Sequence, residues 1–586
     1  MKGSLLFLSG LVMIIGLFSC QKEFLQKPST TGTTTIETVF STQVNAEGAI
    51  AAAYRASLIQ GLPYSGLSHG TLASLSGELS WGWNWHDTYV IINNGMSAAG
   101  KQEDDFDANY AAIRQDYLVF ENIDHVKDMD PGTKDIVKAE MEGLIAYRYM
   151  GMFIRYGGIP ITGKALNSND DLAINRATLQ ETEDTIINLC DRAAKVLPDT
   201  WPDNWRGRLT KGVALAIKAR TLMYAARPLF NATTPYLDLG EHNNLISFGT
   251  ADQQRWEDAI AANEAVLAWA KASGHDIINT GDAGEGVPNP HAFVDYATAT
   301  SVLNNPEVLL GYKFDQQYGI SNFFNVSTYA TVNRFDIATY GMETNFLTNY
   351  YKNDGTDQVW PGLGPGSAIP ASEYFKRMKE MEPRFLADNM PHATDPLNNP
   401  GDQGWAAVNA DFGVNQDGSA GKGDAYSVKY YYKAGSRPWF EFPLFRMAEI
   451  YLNLAEAYNE TGNSQKALEN LNLVHNRAGL PTITEADKSK LRTIIQREWA
   501  IEFYNENQRY FQVKHWKLPD IGTGIIGGPR REFQFTSNGQ NVELPQNLIT
   551  FYDQVVFQAY WAPKMFLDPF PQDEINKGII TQNPGY

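Results

Sequence analysis

The segment FRMAEIYLNLAEAYNETGNSQKALENLNLVHNRAGL, residues 445–480, constrains the fold more than any other part of the chain. Two apolar patterns of helical period flank Gly462-Asn463, so the chain must turn there and lay one helix against the other. The first helix is expected to end near Asn459. Ser464 is expected to cap the second, because a hydroxyl there can accept from an unpaired backbone N–H. Ala467, Leu471, Val474 and Ala478 then share one face, and Gly479 stops the helix. Ala455, Tyr458, Gly462, Ala467, Leu471 and Val474 are separated by 3, 4, 5, 4 and 3 residues. Small side chains at such points let antiparallel helices approach closely.

That spacing resembles a tetratricopeptide repeat. Looser pairs are expected at 135–157 with 178–197 and at 210–227 with 255–270, the second joined by the long loop 228–254. Single helices are expected at 108–128 and 488–511. Pairs this divergent predict a mainly α, irregular tetratricopeptide-like scaffold, and 586 residues exceed the roughly 250–300 that one core serves, so several packed subregions should form. Residues 272–440 read differently. They are rich in Gly, Asn, Pro and aromatics, with short apolar runs such as EVLLGYKF and loop-like stretches at 360–370 and 415–427. A large loop-rich insertion on a rigid scaffold is where a ligand face is expected.

The formal charge of -19 comes without any basic run, which argues against binding nucleic acid through its phosphates. The N-terminus carries Lys2, an apolar run from Leu5 to Phe18, then Ser19-Cys20. Fourteen apolar-run residues are too few for the ~20 of a spanning helix but suit a secretory signal peptide over 1–19. LFSC resembles a bacterial lipobox, so Cys20 is the expected first mature residue and lipidation site, holding the protein on a membrane without crossing it. Residues 20–36 read as a polar tether. Cys190, in the amphipathic INLCDRAAKVL, reads as a small buried hydrophobe with no disulfide partner in the mature chain.

Catalytic and cofactor signals are weak. GTGIIG places Gly522, Gly524 and Gly527 at dinucleotide-fingerprint spacing, yet no convincing strand precedes it and Pro529-Arg530-Arg531 is no helix start. Glu498 and Glu502 sit four apart beside the apolar stripe of Leu491, Ile494 and Ile495, with Arg497 and Arg509 in the same segment. A structural ion-pair network fits them better than an acid pair for glycoside cleavage. The nine histidines include no HExxH pattern and no close pair at ligand spacing, so neither a metal nor another cofactor is expected.

Two stretches carry a family resemblance. The tail KMFLDPFPQDEINKGIITQNPGY, 564–586, resembles the terminal signature of the SusD/RagB family, although Phe570 stands where an aliphatic residue is more usual. LRTIIQREWAIEFYNENQRYFQVKHW, 491–516, resembles that family's Arg-Glu to Trp helix, and KGVALAIKARTLMYAA, 211–226, fits as well. The resemblance implies a non-enzymatic, nutrient-binding lipoprotein on the outer surface of the outer membrane. Such a protein captures oligosaccharides, or less often oligopeptides, and delivers them to a SusC-like TonB-dependent transporter. It also implies an N-terminal helical region over 37–271, the ligand-binding insertion over 272–440, and a C-terminal region over 441–586. A surface glycoside hydrolase or lyase is the alternative, with Glu78 and Asp87 as an example of an acid pair.

GELSWGWNWHDTY, residues 77–89, bears on the ligand site. It holds Trp81, Trp83 and Trp85 at alternate positions, which an extended chain would turn to one face. Gly82 and Asn84 are poor strand residues, and polar neighbours surround the indoles, as a surface that stacks on sugar rings requires. At least one of the three is expected to be exposed and to contact ligand. Facing aromatics are sought in the insertion, with Tyr318, Phe323, Phe324, Tyr329 and Trp360 as regional candidates.

Overall fold

A computed structural model describes residues 35–58, 67, 71–81, 84–281, 286–315, 341–391, 423–430, 432–433, 439–538 and 545–586. Cys20, the signal peptide and most of the tether lie outside the described residues. Among the described residues no helix is long and apolar enough to cross a membrane.

Eight helices form the scaffold: α1 (Gln43–Ser57), α2 (Phe106–Asn122), α3 (Pro131–Tyr156), α4 (Leu179–Val196), α5 (Lys211–Ala226), α6 (Gln254–Ser273), α7 (Met447–Glu460) and α8 (Ser464–Arg477). Each packs on the next in chain order, so the four pairs stack as nearest neighbours. The three pairs expected from sequence are all present, and α1 with α2 adds a fourth. Contact between α6 and α7 closes the stack across more than 170 intervening residues.

Local chemistry sets the helix starts. Asp130 accepts from Thr133 N at 2.9 Å ahead of Pro131, a residue whose missing N–H costs nothing at that position. Thr178 and Glu181 form a reciprocal capping box on α4. At α8 the cap is Asn463, whose side chain accepts from Lys466 N at 3.1 Å, and Ser464 is the first helical residue. The chain enters one position earlier than expected because the amide oxygen reaches the free donor. Glycine matters where helices close: a Cβ on Gly212 would lie 2.2 Å from the Trp269 ring, so α5 and α6 meet through that gap. Cys190 is buried within α4, and burial pushes its thiol up.

The expected helix over 488–511 is two. Helix α9 (Lys488–Glu502) stops at Phe503, the backbone turns through Asn505 and Asn507 at φ +55° and +61°, and α10 (Arg509–His515) follows. Asparagine tolerates that left-handed geometry at modest cost, which allows the break.

Within 272–440 the described residues form a ten-residue helix, Ala292–Ser301, and several short elements. EVLLGYKF becomes strand β1 (Val308–Asp315), antiparallel to β2 (Trp439–Arg446). A longer antiparallel pair, β3 (Gly528–Ser537) and β4 (Leu548–Ala559), gains Ile369–Pro370 as a third strand. Two large apolar clusters form among the described residues, one among the scaffold helices and one around Phe346, Tyr350, Tyr374, Phe385, Phe533 and Phe551, with a small third one around Tyr296 and Tyr432. Helix α9 is the seam, with Trp499 in the first cluster and Ala500 and Ile501 in the second.

Candidate functional site

The tryptophan row hangs between two anchors. On its N-terminal side Leu79 bridges Met342, and Ser80 N donates to Gly341 O at 2.8 Å. Gly77 at φ +78° permits this path, since a Cβ there would lie 2.7 Å from Gly524 O. On the C-terminal side Thr88 Oγ1 donates to Trp81 O at 2.9 Å, and helix Asp87–Asn94 begins.

Asn84 and Trp85 lie in a turn just before that helix. Trp81 and Trp85 differ sharply in their surroundings. Trp81 is 6 % exposed and packs on Phe557 at 4.9 Å, so it belongs to the core. Trp85 is 61 % exposed and sets its ring edge-on to His86 at 4.3 Å and 88°. Trp83 lies outside the described residues.

Helix Asp87–Asn94 lies against the end of β4, where Tyr560 N donates to Ile92 O at 2.8 Å. Half-buried Tyr89 stands 5.7 Å from Phe557, and Tyr560 is exposed beside Gly95. These flanking rings escaped the sequence reading. Their signal was the aromatic-rich VVFQAYW, 555–561, which spans the end of β4 and reads as ordinary strand core in the sequence.

The proposed facing aromatics divide. Tyr318, Phe323, Phe324 and Tyr329 lie outside the described residues. Trp360 is half-buried against the second cluster, 5.3 Å from Phe533, and serves packing there. Gly341 and Gly423, which follow 316–340 and 392–422 in the chain, lie at the N-terminal anchor of the row. Gly341 accepts from Ser80, Asp424 N donates to Met342 O at 2.6 Å, and a Cβ on Gly423 would lie 2.3 Å from Gly341 C.

The acids named in the hydrolase alternative are engaged in structure. Glu78 is buried, accepts from Ser76 Oγ at 2.5 Å and from Asn505 N at 2.8 Å, and its carboxyl is raised by that burial. Asp87, also buried, pairs with Lys101 at 2.9 Å.

Glu498 and Glu502 are members of a buried ion network. Arg384 donates to Glu498 at 2.6 Å and to Glu502 at 3.0 Å. His475 Nδ1 lies 2.9 Å from Glu498, Arg446 donates to Glu502 at 2.6 Å, and Arg477 also holds Glu502. Arg446 reaches on to Glu307 and Glu506, and Lys429 joins at Glu506, 2.7 Å away. Burial alone would raise these carboxyls. The surrounding cations outweigh it, holding Glu498 down to about 2 and Glu502 lower still. Ionised at neutral pH and sealed from solvent, neither is placed to act as a general acid. GTGIIG lies in turns that lead into β3, so the element that follows it is a strand and not the helix a dinucleotide fingerprint opens.

Comparison with known proteins agrees with this fold. The sequence model of the SusD family matches residues 307–586, and one described as starch-binding, associating with the outer membrane, matches 37–223. The chain belongs to the SusD-like family. SusD-like protein P38 of Formosa agariphila is 23 % identical over 452 residues, 73 % of this chain and 75 % of that one. A crystal structure of a SusD-like protein from Bacteroides fragilis superposes with a TM-score of 0.73 at 23 % identity, covering 94 % of this chain and 98 % of the other. Another from the same species, titled as a SusD-like carbohydrate-binding protein, gives 0.67 at 18 % identity over 93 % and 99 %.

Proposed function

We propose that this chain is a cell-surface lipoprotein, anchored through Cys20, that captures oligosaccharides and delivers them to a SusC-like TonB-dependent transporter. The observation that carries the reading is Trp85: a large indole held out in solvent with its ring edge-on to His86. An indole 61 % exposed next to polar Asn84 suits a ligand that is apolar on one face and hydroxylated at its rim. Family membership and the outer-membrane description of one matching model support the same role. The reading is non-catalytic, since the acid pairs weighed above are engaged in buried structure.

A sugar ring covering one indole face removes about 60 Å² of apolar surface, worth about 1.5 kcal/mol, or roughly tenfold in affinity. Affinity electrophoresis across a panel of neutral and acidic glycans is the test, with an oligopeptide mixture as a second arm. Trp85→Ala should weaken binding of the retained glycan about tenfold without early melting. Unchanged glycan binding by Trp85→Ala overturns the site. Retention of peptides alone moves the ligand to the oligopeptide class, and new reducing ends would restore the hydrolase alternative.

A further inference from the structure

A second cleft, sharing no lining residue with the tryptophan row, opens between α1, the loop 204–208 and β1. Its volume is about 520 Å³, within the roughly 300–1,000 Å³ typical of small-ligand sites. Arg55, Arg206, Arg208 and Lys313 line it against a single acid, Glu47. On a chain of net charge -19 this is a local reversal of sign.

The four cations are not equivalent. Arg208 is fixed from behind by buried Glu140, to which its Nε donates at 2.6 Å, and Tyr54 donates to the same carboxylate at 2.6 Å. Its guanidinium lies 4.4 Å from the Trp201 ring and 4.9 Å from the ring of Trp205. Arg208 therefore props Trp205, which keeps an exposed edge to the cleft. Arg206 pairs with Asp203, a carboxylate 91 % exposed, so water screens that pair. Lys313 Nζ lies 3.5 Å from Arg206 O. Arg55 has no hydrogen-bond or ion-pair partner among the described residues. The arrangement combines a braced aromatic edge with Arg55, unpaired among the described residues, and Arg206, whose one ion pair is screened by water.

We propose that this cleft binds an acidic sugar unit, its carboxylate or sulfate held by Arg55 and Arg206 and its ring resting on Trp205. A neutral glycan makes no use of the cations, and a bare anion makes none of the indole. The volume admits on the order of two sugar rings. Attraction here is local and works against the charge of the whole chain, so added salt should weaken it. The inference rests on the carbohydrate-binding reading of the chain but not on Trp85.

Titration calorimetry of the full mature lipoprotein in detergent tests it, with tetragalacturonate as the carboxylate probe, a sulfated carrageenan tetrasaccharide as the sulfate probe and cellotetraose as the neutral one. One of the two acidic probes should bind at least tenfold more tightly than cellotetraose, and which one does identifies the anion. The double variant Arg55→Ala/Arg206→Ala should lose at least tenfold for that probe, and Trp205→Ala should lose a comparable factor. Should the double variant melt early, Arg55→Glu at the exposed helix surface must reproduce the loss. Failure of both acidic probes to bind, or unaltered binding by these variants, overturns the proposal. If Trp85→Ala alone removes acidic binding, the acidic glycan occupies the tryptophan surface, which overturns the second cleft and leaves the carbohydrate reading standing. Displacement by equimolar free sulfate or acetate would show a simple anion site and overturn it too.

Discussion

Glu498 offers the sharpest test of the claim that the buried acids are structural. Glu498→Gln keeps the shape of the side chain and removes its charge from between Arg384 and His475. Removing one partner of a buried pair costs about 3–5 kcal/mol, because the remaining charge stays desolvated. An independent route gives a similar size. The carboxyl falls from 4.5 to about 2 on folding, which at 1.36 kcal/mol per unit is on the order of 3 kcal/mol. Because the folded value is the lower one, this stabilisation is complete above the unfolded value near 4.5. It drains as pH falls toward 2, dropping below half by about pH 3. Urea unfolding followed by tryptophan fluorescence reads the difference, and with a slope of about 3 kcal/mol per molar the midpoint should fall by about 1 M at pH 7. The gap between parent and variant should narrow at pH 3. Equal midpoints at pH 7, or a gap that does not shrink with acid, would refute the network argument.

Asp388 should behave in the opposite sense. Burial raises it to about 7 against the pull of Lys429 and a 2.8 Å bond from Tyr296, so its ionisation costs stability as pH climbs from about 4 through 7. Asp388→Asn should therefore gain on the parent between pH 5.5 and 8.5 in thermal melts, and a constant difference would contradict this. Trp81→Ala should destabilise by about 3–5 kcal/mol while sparing glycan affinity, since the ring packs on Phe557; early loss of affinity in native gels without any change in unfolding would place Trp81 at the ligand instead. Replacing Cys20 with alanine should leave the melting curve unchanged and shift the protein from the membrane pellet to the soluble fraction; retention in the pellet would contradict lipid anchoring through that residue.

Helix pairing was written locally. The period of Ala467, Leu471 and Val474, the turn at Gly462 and the capping residues each act within a few positions, so sequence sufficed to place α7 against α8 and to pair α3 with α4 and α5 with α6. The structural role of Glu498 and Glu502 was also legible, because two carboxylates beside an apolar stripe need cations when buried. Which cations was not. Arg384, Arg446 and Arg477 arrive from three separate elements, and only the packing of α9 between two cores brings them together. The same holds at the ligand surface. Alternation in GELSWGWNWHDTY suggested one shared face, but Trp81 is buried and Trp85 exposed, in a segment anchored by hydrogen bonds from Ser80 to Gly341 and from Thr88 to Trp81. The partners of those bonds that lie far along the chain, such as Gly341, carry no signal in the segment itself. Local periodicity and capping therefore determined the helices and the family tail. Long-range contacts decided which tryptophan meets solvent and where four cations gather beside Trp205, because exposure and local charge belong to surfaces assembled from distant parts of the chain.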